Sequence, residues 1–497
     1  MIQWRPPVTP PPAQADPRAT LALQLDHALA GPAYDLNAIC RLGGAAYRAG
    51  LGAPAARAFE ASVAILMEII RRGDAENALR TEVAIYEAFV KAIEDEDHYD
   101  RVFALWREAM AGLGRRFAEP VTASPRARGI GFVFSAGVVL GHTEVLFRLL
   151  EHRDRGDPVR IYSIGEGQPD FIARAEALGV PVESFPTAQW GPGAGFVDRL
   201  RWIRRRMSEQ GIGTVVWTSV PTTATFAFAM RLAPVQLMWS LRYHPVRLTE
   251  IDGYLTYGSW GEESRVFHGQ RWTVCPVPLA LDARTPEPAE VEKLRARFPE
   301  KVLLGTLARE EKIASPAFLE AVAQILKRNP QCDYIWTGQS MHAGIASFFE
   351  RHGLASRCHF VGWVDTPLYA AILDLFLETF PLGCGITGYQ AMGARVPLVS
   401  FLASNTVFGM QYWSDLMTRA GSLERVTRTT LDEYPVLCAL DGKDYVELAT
   451  RAINDEEFRE SWREREARFY AEEIAGIARY SQRFFAAIDE VARRKAA

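Results

Sequence analysis

From residue 128 onward the chain alternates short β-branched and aromatic runs with stretches of helical periodicity, and no other feature restricts its fold as much. GIGFVFSAG, VRIYSIG, VPVESFP and TVVWTSV read as strands, and HTEVLFRLLEHR, DFIARAEALG, FVDRLRWIRRRMSEQG and TATFAFAMRLA read as the helices between them. A strand that is apolar along its whole length must be covered on both faces, and helices returning between such strands make the sheet parallel. After VQLMWSL, DGYLTYGS and WTVCPVPLAL the alternation restarts at KVLLGTLAR, continues through CDYIWTGQ, CHFVGWV and LFLETF, and reaches VPLVSF. Two doubly wound α/β units are therefore expected, over residues 128–285 and 286–497, the second closed by a long charged helical tail. Two such units leave a cleft at the carboxyl ends of their strands, where open α/β sheets bind ligands.

Ahead of these units, residues 20–118 read as successive amphipathic helices, including APAARAFEASVAILMEIIRRG and YDRVFALWREAMAGLGRRF, separated by Gly, Pro or Asp. An all-helical interaction domain is expected, repeat-like in its helix pairs but without the roughly 34-residue register of a tetratricopeptide array. Its apolar stripe, with Phe103 and Trp106, reads as core rather than as a peptide groove. Residues 1–19 are Pro-rich and are expected to be an extended or disordered leader, and AEPVTASPRARG (118–129) has the chemistry of a linker.

Composition narrows the partners. Against 60 Asp+Glu the chain has 56 Lys+Arg, a formal net charge of -4, so nothing draws it as a whole to nucleic acid or an anionic surface. Any anion site must be local. The six cysteines show no CxxC pair and fit free thiols, and no zinc site is suggested. No stretch has the apolar length of a membrane span, and the expected location is cytoplasmic.

Local chemistry concentrates in LETFPLGCGITGYQAMGARVPLVSF (377–401). A strand runs into a turn bearing Gly383, Gly385 and Gly388 that opens a helix, so backbone N–H groups and the helix dipole would face the cleft. Thr387 adds a hydroxyl. Such a turn suits a diphosphate, although an ordinary Gly-rich strand-to-helix turn has the same text. In LGTLAREEKIASPAFLEAVAQILKRNP (304–330), Lys312 follows a strand and precedes a helix with Ser315 at its N-cap and Pro316 at its first position. An ammonium there would neutralise charge on a leaving diphosphate without a metal. Arg309 is a second candidate, and either cation could instead pair with Glu310 or Glu311.

APVQLMW (233–239), EKIASP (311–316), ILKRNP (325–330) and LETFPLGCGITGYQAMGARVPLV (377–399), in this order, resemble the glycosyltransferase family of the O-linked N-acetylglucosamine transferases and the bacterial cytoplasmic N-glycosyltransferases that modify adhesins. The resemblance covers roughly residues 130–490. It implies a GT-B-type pair of α/β domains preceded by an all-α domain, and an inverting, metal-independent transfer from a UDP-sugar to a protein side chain, Ser/Thr or Asn. No cofactor is implied beyond the nucleotide-sugar donor, and a flagellin or adhesin is the kind of acceptor suggested. Lys312 then matches the lysine on the donor diphosphate, and Thr387 with Gly388 matches the phosphate turn. HFVGWVD (359–365) matches the segment beside the base, which brings in Trp363, Val364 and Asp365; a tryptophan at a strand end could equally pack into the core. Where the family has a polar pair in the turn and an acid on the following helix, this chain has Gly385, Ile386 and Gln390. Gln390 could still bond a ribose hydroxyl.

Two histidines complete the candidates. His244, in RYHPVR, matches the His-Pro that follows the APVQ run in the bacterial N-glycosyltransferases, which implies the acceptor side of the cleft. His142 follows the first strand at a helix N-terminus, where an imidazole held neutral could take a proton from an acceptor hydroxyl. A backbone-bonded structural histidine is the alternative for each. Asp95-Glu96-Asp97 spells Asp-x-Asp but falls in the helical region, and no metal is assigned. Rival readings are a transferase acting on a small molecule, a non-catalytic helical scaffold with a degenerate transferase domain, and a nucleotide-sugar epimerase.

Overall fold

In the computed structural model the described residues are all except 1–16, 31–34, 49–50, 92–95, 121–123, 125–126, 140, 155, 157, 187–193, 219, 242–245, 268, 282–284 and 300. The expected leader therefore falls almost entirely outside them, as does His244, and so does most of the linker's middle.

The first sheet contains β1 (Gly129–Phe134), β2 (Val159–Ser163), β3 (Val182–Ser184), β4 (Ile212–Trp217), β5 (Val235–Ser240), β6 (Gly253–Thr256), β7 (Ser264–Phe267) and β8 (Gln270–Val274). Their order is β3-β2-β1-β4-β5-β6-β8-β7, parallel throughout except for the β7–β8 hairpin at the edge. Every residue of β1, β4 and β5 is buried, as strands covered on both faces require. The second sheet contains β9 (Val302–Thr306), β10 (Cys332–Trp336), β11 (Cys358–Phe360), β12 (Leu375–Leu377), β13 (Leu398–Phe401) and β14 (Cys438–Ala439). Its order, β11-β10-β9-β12-β13-β14, repeats the first sheet's pattern with every pairing parallel. In each unit the chain winds outward one way, returns to the centre, and winds out the other way. The reversal falls between β1 and β4 and between β9 and β12.

The helical layer comprises Pro17–Ala30, Leu36–Arg48, Gly52–Arg72, Ala75–Ile85 continued by a π-helical turn Tyr86–Val90, Glu96–Ala104 and Arg107–Arg115. It does not keep a core of its own. Phe103, Trp106 and Met110 share one buried cluster with Val215 and Trp217 of β4 and Met238 of β5. The helix Arg107–Arg115 lies so close on Ala224–Ala229 that a Cβ at Gly114 would come within 2.6 Å of the Phe226 carbonyl oxygen. A fully buried Glu82 carboxylate accepts from the Trp106 indole (3.0 Å) and from the Thr223 backbone N–H (2.9 Å), bolting the layer to the loop after β4. The helical layer is thus joined to the first unit: amphipathic helices bury their stripe on the nearest apolar face, and here that face is the first sheet's own outer layer.

The tail is shared between the two units. Glu456–Ala475 stays with the second sheet, where Glu466 accepts from Leu398 N (2.7 Å) and Leu437 N (3.0 Å). The last helix, Ile477–Ala496, crosses back: Phe484 packs on Phe132 and Trp239, and Ser481 donates to the Leu149 carbonyl (2.7 Å). Apolar positions along one face of this helix are what cover the first sheet from below. All six cysteines are free.

Candidate functional site

The ends of β9, β10, β11 and β12 surround a small cleft of about 150 Å³ that opens to solvent. Leu307, Ala308, Arg309 and Lys312 line it from the segment after β9, and Thr337 from the end of β10. Trp363, Val364 and Thr366 come from beyond β11, and Cys384 and Thr387 from the turn after β12. This is the point where the strand order reverses, so connections leave in opposite directions and open a crevice.

Local sequence explains each position. Thr337 clips the loop after β9 by donating to the Ala308 carbonyl (2.8 Å) and accepting from Ala308 N (2.9 Å). Arg309 is the N-cap of the single-turn helix Glu310–Ile313, which carries Lys312. Ser315 and Pro316 then begin the helix Pro316–Arg328, although the Ser315 hydroxyl makes no capping bond. Glu310 is engaged by the Gln339 backbone N–H (3.0 Å), while the Lys312 ammonium donates to the Gly383 carbonyl across the cleft. The cation thus spans from β9 to the turn after β12.

That turn needs its glycines for two reasons. Gly385 caps the helix Ile386–Gly393 at φ +64, a left-handed conformation that costs a side-chain-bearing residue. Gly383 has no room for a Cβ, which would lie 2.4 Å from Glu378 Oε1 and 2.6 Å from the Asn405 carbonyl oxygen. Gly388 is buried against Leu398 and Val407, which seats the helix on the sheet, and Thr387 opens toward the cleft. Gln390 lies one turn on and is half-buried; it is not among the residues lining the cleft.

Trp363 is 66% exposed, so a core role for it is corrected. Asp365 is taken up by a structural duty, capping the helix Thr366–Ala371 through Leu368 N (3.2 Å). His142 sits in the first turn of the helix Gly141–Glu151 and is half-buried, and burial holds its pKa below the usual imidazole value. It does not line the cleft around Lys312. Its neighbour Gly141 approaches Ile386 across the gap, however: a Cβ there would be 3.1 Å from Ile386 Cδ1. The N-termini of the two helices that carry His142 and Thr387 therefore meet between the domains.

Sequence reasoning missed Glu378. Fully buried beneath the glycine turn, its carboxylate accepts from Ser400 Oγ (2.5 Å) and Val407 N (2.8 Å), with Cys384 Sγ at 3.6 Å. Burial without a full counter-charge pushes its pKa up to about 7. A lone acid in the apolar run LFLETF was the available signal. Among the described residues no group of three or more His, Cys, Asp or Glu side chains could hold a metal ion, and no helix is long and apolar enough to cross a membrane.

No family model matches the chain, and no curated protein matches it by sequence. Solved structures do match. An O-GlcNAc transferase of Thermobaculum terrenum, a K341M mutant, superposes with a TM-score of 0.56 at 16% identity, over 97% of this chain and 99% of that one. The chain has the fold of the GT-B glycosyltransferases. Anabaena Alr3699/HepE, solved with UDP, superposes at a TM-score of 0.51 and 15% identity, over 73% of this chain and 100% of that one. A Rickettsia africae glycosyltransferase matches at 0.50 and 9% identity, over 73% and 98%. The expected pair of GT-B domains is therefore present, with the helical layer as a third element covered by the first match.

Proposed function

We propose that this chain is an inverting, metal-independent glycosyltransferase that moves a sugar from a UDP-sugar to a protein side chain. The observation that carries the reading is the convergence of Arg309, Lys312, Thr387 and the N-terminus of Ile386–Gly393 on one cleft at the strand-order reversal of the second sheet. Two cations, a hydroxyl and a helix N-terminus suit a diphosphate, and the exposed Trp363 at the rim offers a face for a base. HepE, of the same fold, was solved with UDP, which supports uridine as the base. The match to the O-GlcNAc transferase extends over nearly the whole chain rather than the α/β units alone, which supports a polypeptide acceptor approaching past the helical layer.

In this mechanism the acceptor oxygen or nitrogen attacks the anomeric carbon as its bond to the diphosphate oxygen breaks, inverting the carbon. The electron pair leaves with UDP, whose added charge Lys312, Arg309 and the turn at Thr387-Gly388 stabilise. His142, kept neutral by burial, takes the acceptor's proton from the first domain's side. A small-molecule acceptor is the second reading, favoured by one observation: the helical layer's apolar stripe is consumed by the first sheet.

The test is a thermal-shift panel of UDP, GDP, TDP and their sugar conjugates on the wild type and Lys312→Ala, followed by mass spectrometry of candidate acceptor peptides. Stabilisation by uridine nucleotides alone, diminished in the variant, supports the donor site; stabilisation by none overturns it. Sugar transfer to small molecules with none to peptides selects the second reading.

A further inference from the structure

Glu378 stands where the chain leaves β12, and a single layer of backbone separates it from the cleft. Its Oε1 is so near Gly383 that no Cβ fits between them, whereas the carbonyl of the same Gly383 receives the Lys312 ammonium. Cys384 likewise has two faces: its thiol donates toward Glu378 while the residue lines the cleft. Val407 N and Ser400 Oγ hold the carboxylate from the other side.

The titratable groups around it come from five elements. Lys312 of Glu310–Ile313 is the cation that favours the ionised carboxylate. Cys384 of the turn, Cys438 of β14 and Tyr445 of Gly442–Asn454 are all pushed up by burial and stay neutral near pH 7; Tyr445 donates to the Glu378 backbone carbonyl at 2.9 Å. Glu466 of Glu456–Ala475 adds a further unfavourable carboxylate interaction, felt through the shared interior. Burial dominates the charge state of Glu378, the hydrogen bonds from Ser400, Val407 N and Cys384 come next, and the Lys312 charge is the smaller contribution that a bound anion would change.

We propose that Glu378 is a proton-linked positioning residue, bracing the phosphate turn and taking up a proton from solvent when a diphosphate arrives over Lys312. The inference rests on the donor-site reading above. An anion at Lys312 draws on the same positive charge and adds negative charge across one layer of backbone, so the ionised carboxylate becomes costlier and an O–H bond forms on Glu378. Ser400, whose Oγ already accepts from Phe408 N (3.3 Å), can then accept from the acid rather than donate to it. Ordinary burial leaves the group titrating near neutrality, so the uptake falls in an accessible pH range.

Calorimetry of UDP binding to the full chain at pH 7, in Tris and in Hepes, gives the protons exchanged from the difference in heat. Comparing the wild type with Glu378→Gln cancels the titration of UDP itself. The expected result is a net uptake of a fraction of a proton in the wild type relative to Glu378→Gln, and a wild-type Kd that rises, relative to the variant, by up to about tenfold between pH 6 and 8. Difference infrared spectroscopy on the wild type needs no variant to fold: a protonated-carboxyl band should grow on adding UDP. UDP binding with no difference in proton uptake and no such band overturns this inference and leaves the donor site standing. If neither UDP nor pyrophosphate binds, both fall.

Discussion

The hydroxyl of Tyr257, one residue past β6 in the first sheet, donates to the side-chain oxygen of Asn405 in the second. The backbone carbonyl of Asn405 in turn receives the Gly383 N–H (3.1 Å), and the carbonyl of Gly383 receives Lys312. A short chain of bonds thus runs from the first domain, through the turn, to the cation in the cleft. Ser414 N, donating to Ser259 Oγ at 3.1 Å, fastens the same seam.

Removing the first link should be felt at the last. Tyr257→Phe deletes one hydrogen bond worth about 1 kcal/mol, and the Asn405 loop then holds Gly383 less firmly. The expected outcome is a rise of about threefold to tenfold in the Kd for UDP with little change in Tm. A double-mutant cycle with Lys312→Ala should show non-additivity, because both act on one turn. Additive effects would mean that the seam and the cleft are independent.

Lys312 and Trp363 separate charge from stacking. Lys312→Ala should raise the Kd for UDP and for pyrophosphate alike by tenfold or more, since a charge-assisted contact is worth about 1.5–3 kcal/mol. Trp363→Ala should weaken UDP severalfold and leave pyrophosphate unaffected, with no loss of Tm because the side chain is largely in solvent. Calorimetry with the two ligands on the two variants checks both statements. A Trp363→Ala protein that binds UDP normally would remove the base from that rim.

These residues were legible because they stand at strand ends, and strand ends follow from local pattern. GIGFVF, KVLLGT and LFLETF announce their own burial, the turn glycines announce a special backbone, and the alternation orders them around a cleft. What escaped depends on contacts between distant segments. Glu82 reaches Thr223 across 141 residues, so nothing in TEVAIYEAF says that its one buried acid joins a helical layer to a sheet. Glu378 is an acid in an apolar strand, but its depth is set by β13 and the helix Val407–Ala420. The last helix carries an apolar face that fits either sheet, and only the packing of Phe484 on Phe132 assigns it.

The buried acids make a prediction about pH. Burial pushes Glu82 to about 7 and Glu466 to about 8, above the ordinary value of 4.5 that each regains when unfolded. The folded state therefore binds more protons between pH 4.5 and the raised values, so the stability each contributes is greatest below pH 4.5. It is lost as pH rises toward 7 and 8. Glu82 accounts for roughly 3 kcal/mol and Glu466 for roughly 5 kcal/mol, each across its window. Urea unfolding from pH 5 to 8 should show the slope, and Glu82→Gln should reduce it. That variant should also be less stable throughout, because its amide NH2 must face either the Trp106 indole or the Thr223 N–H. An unchanged slope in Glu82→Gln would place the linked protons elsewhere.

Gly383→Ala tests whether the turn is a device or merely a bend. The new methyl would meet Glu378 Oε1 at 2.4 Å, the Asn405 carbonyl oxygen at 2.6 Å and Thr406 Cα at 2.6 Å. Two of these are backbone and the third is a carboxylate held by Ser400 and Val407, so the neighbours cannot yield by rotating a side chain. The turn itself must move, and with it the carbonyl that orients Lys312. We expect a loss of stability of about 1–3 kcal/mol from the overpacking, read as a lower urea midpoint, together with a loss of UDP affinity of more than tenfold. Gly442→Ala serves as the control, since a Cβ there meets nothing within 4 Å. If Gly383→Ala loses stability while binding UDP as the wild type does, the geometry of this turn does not set the anion site.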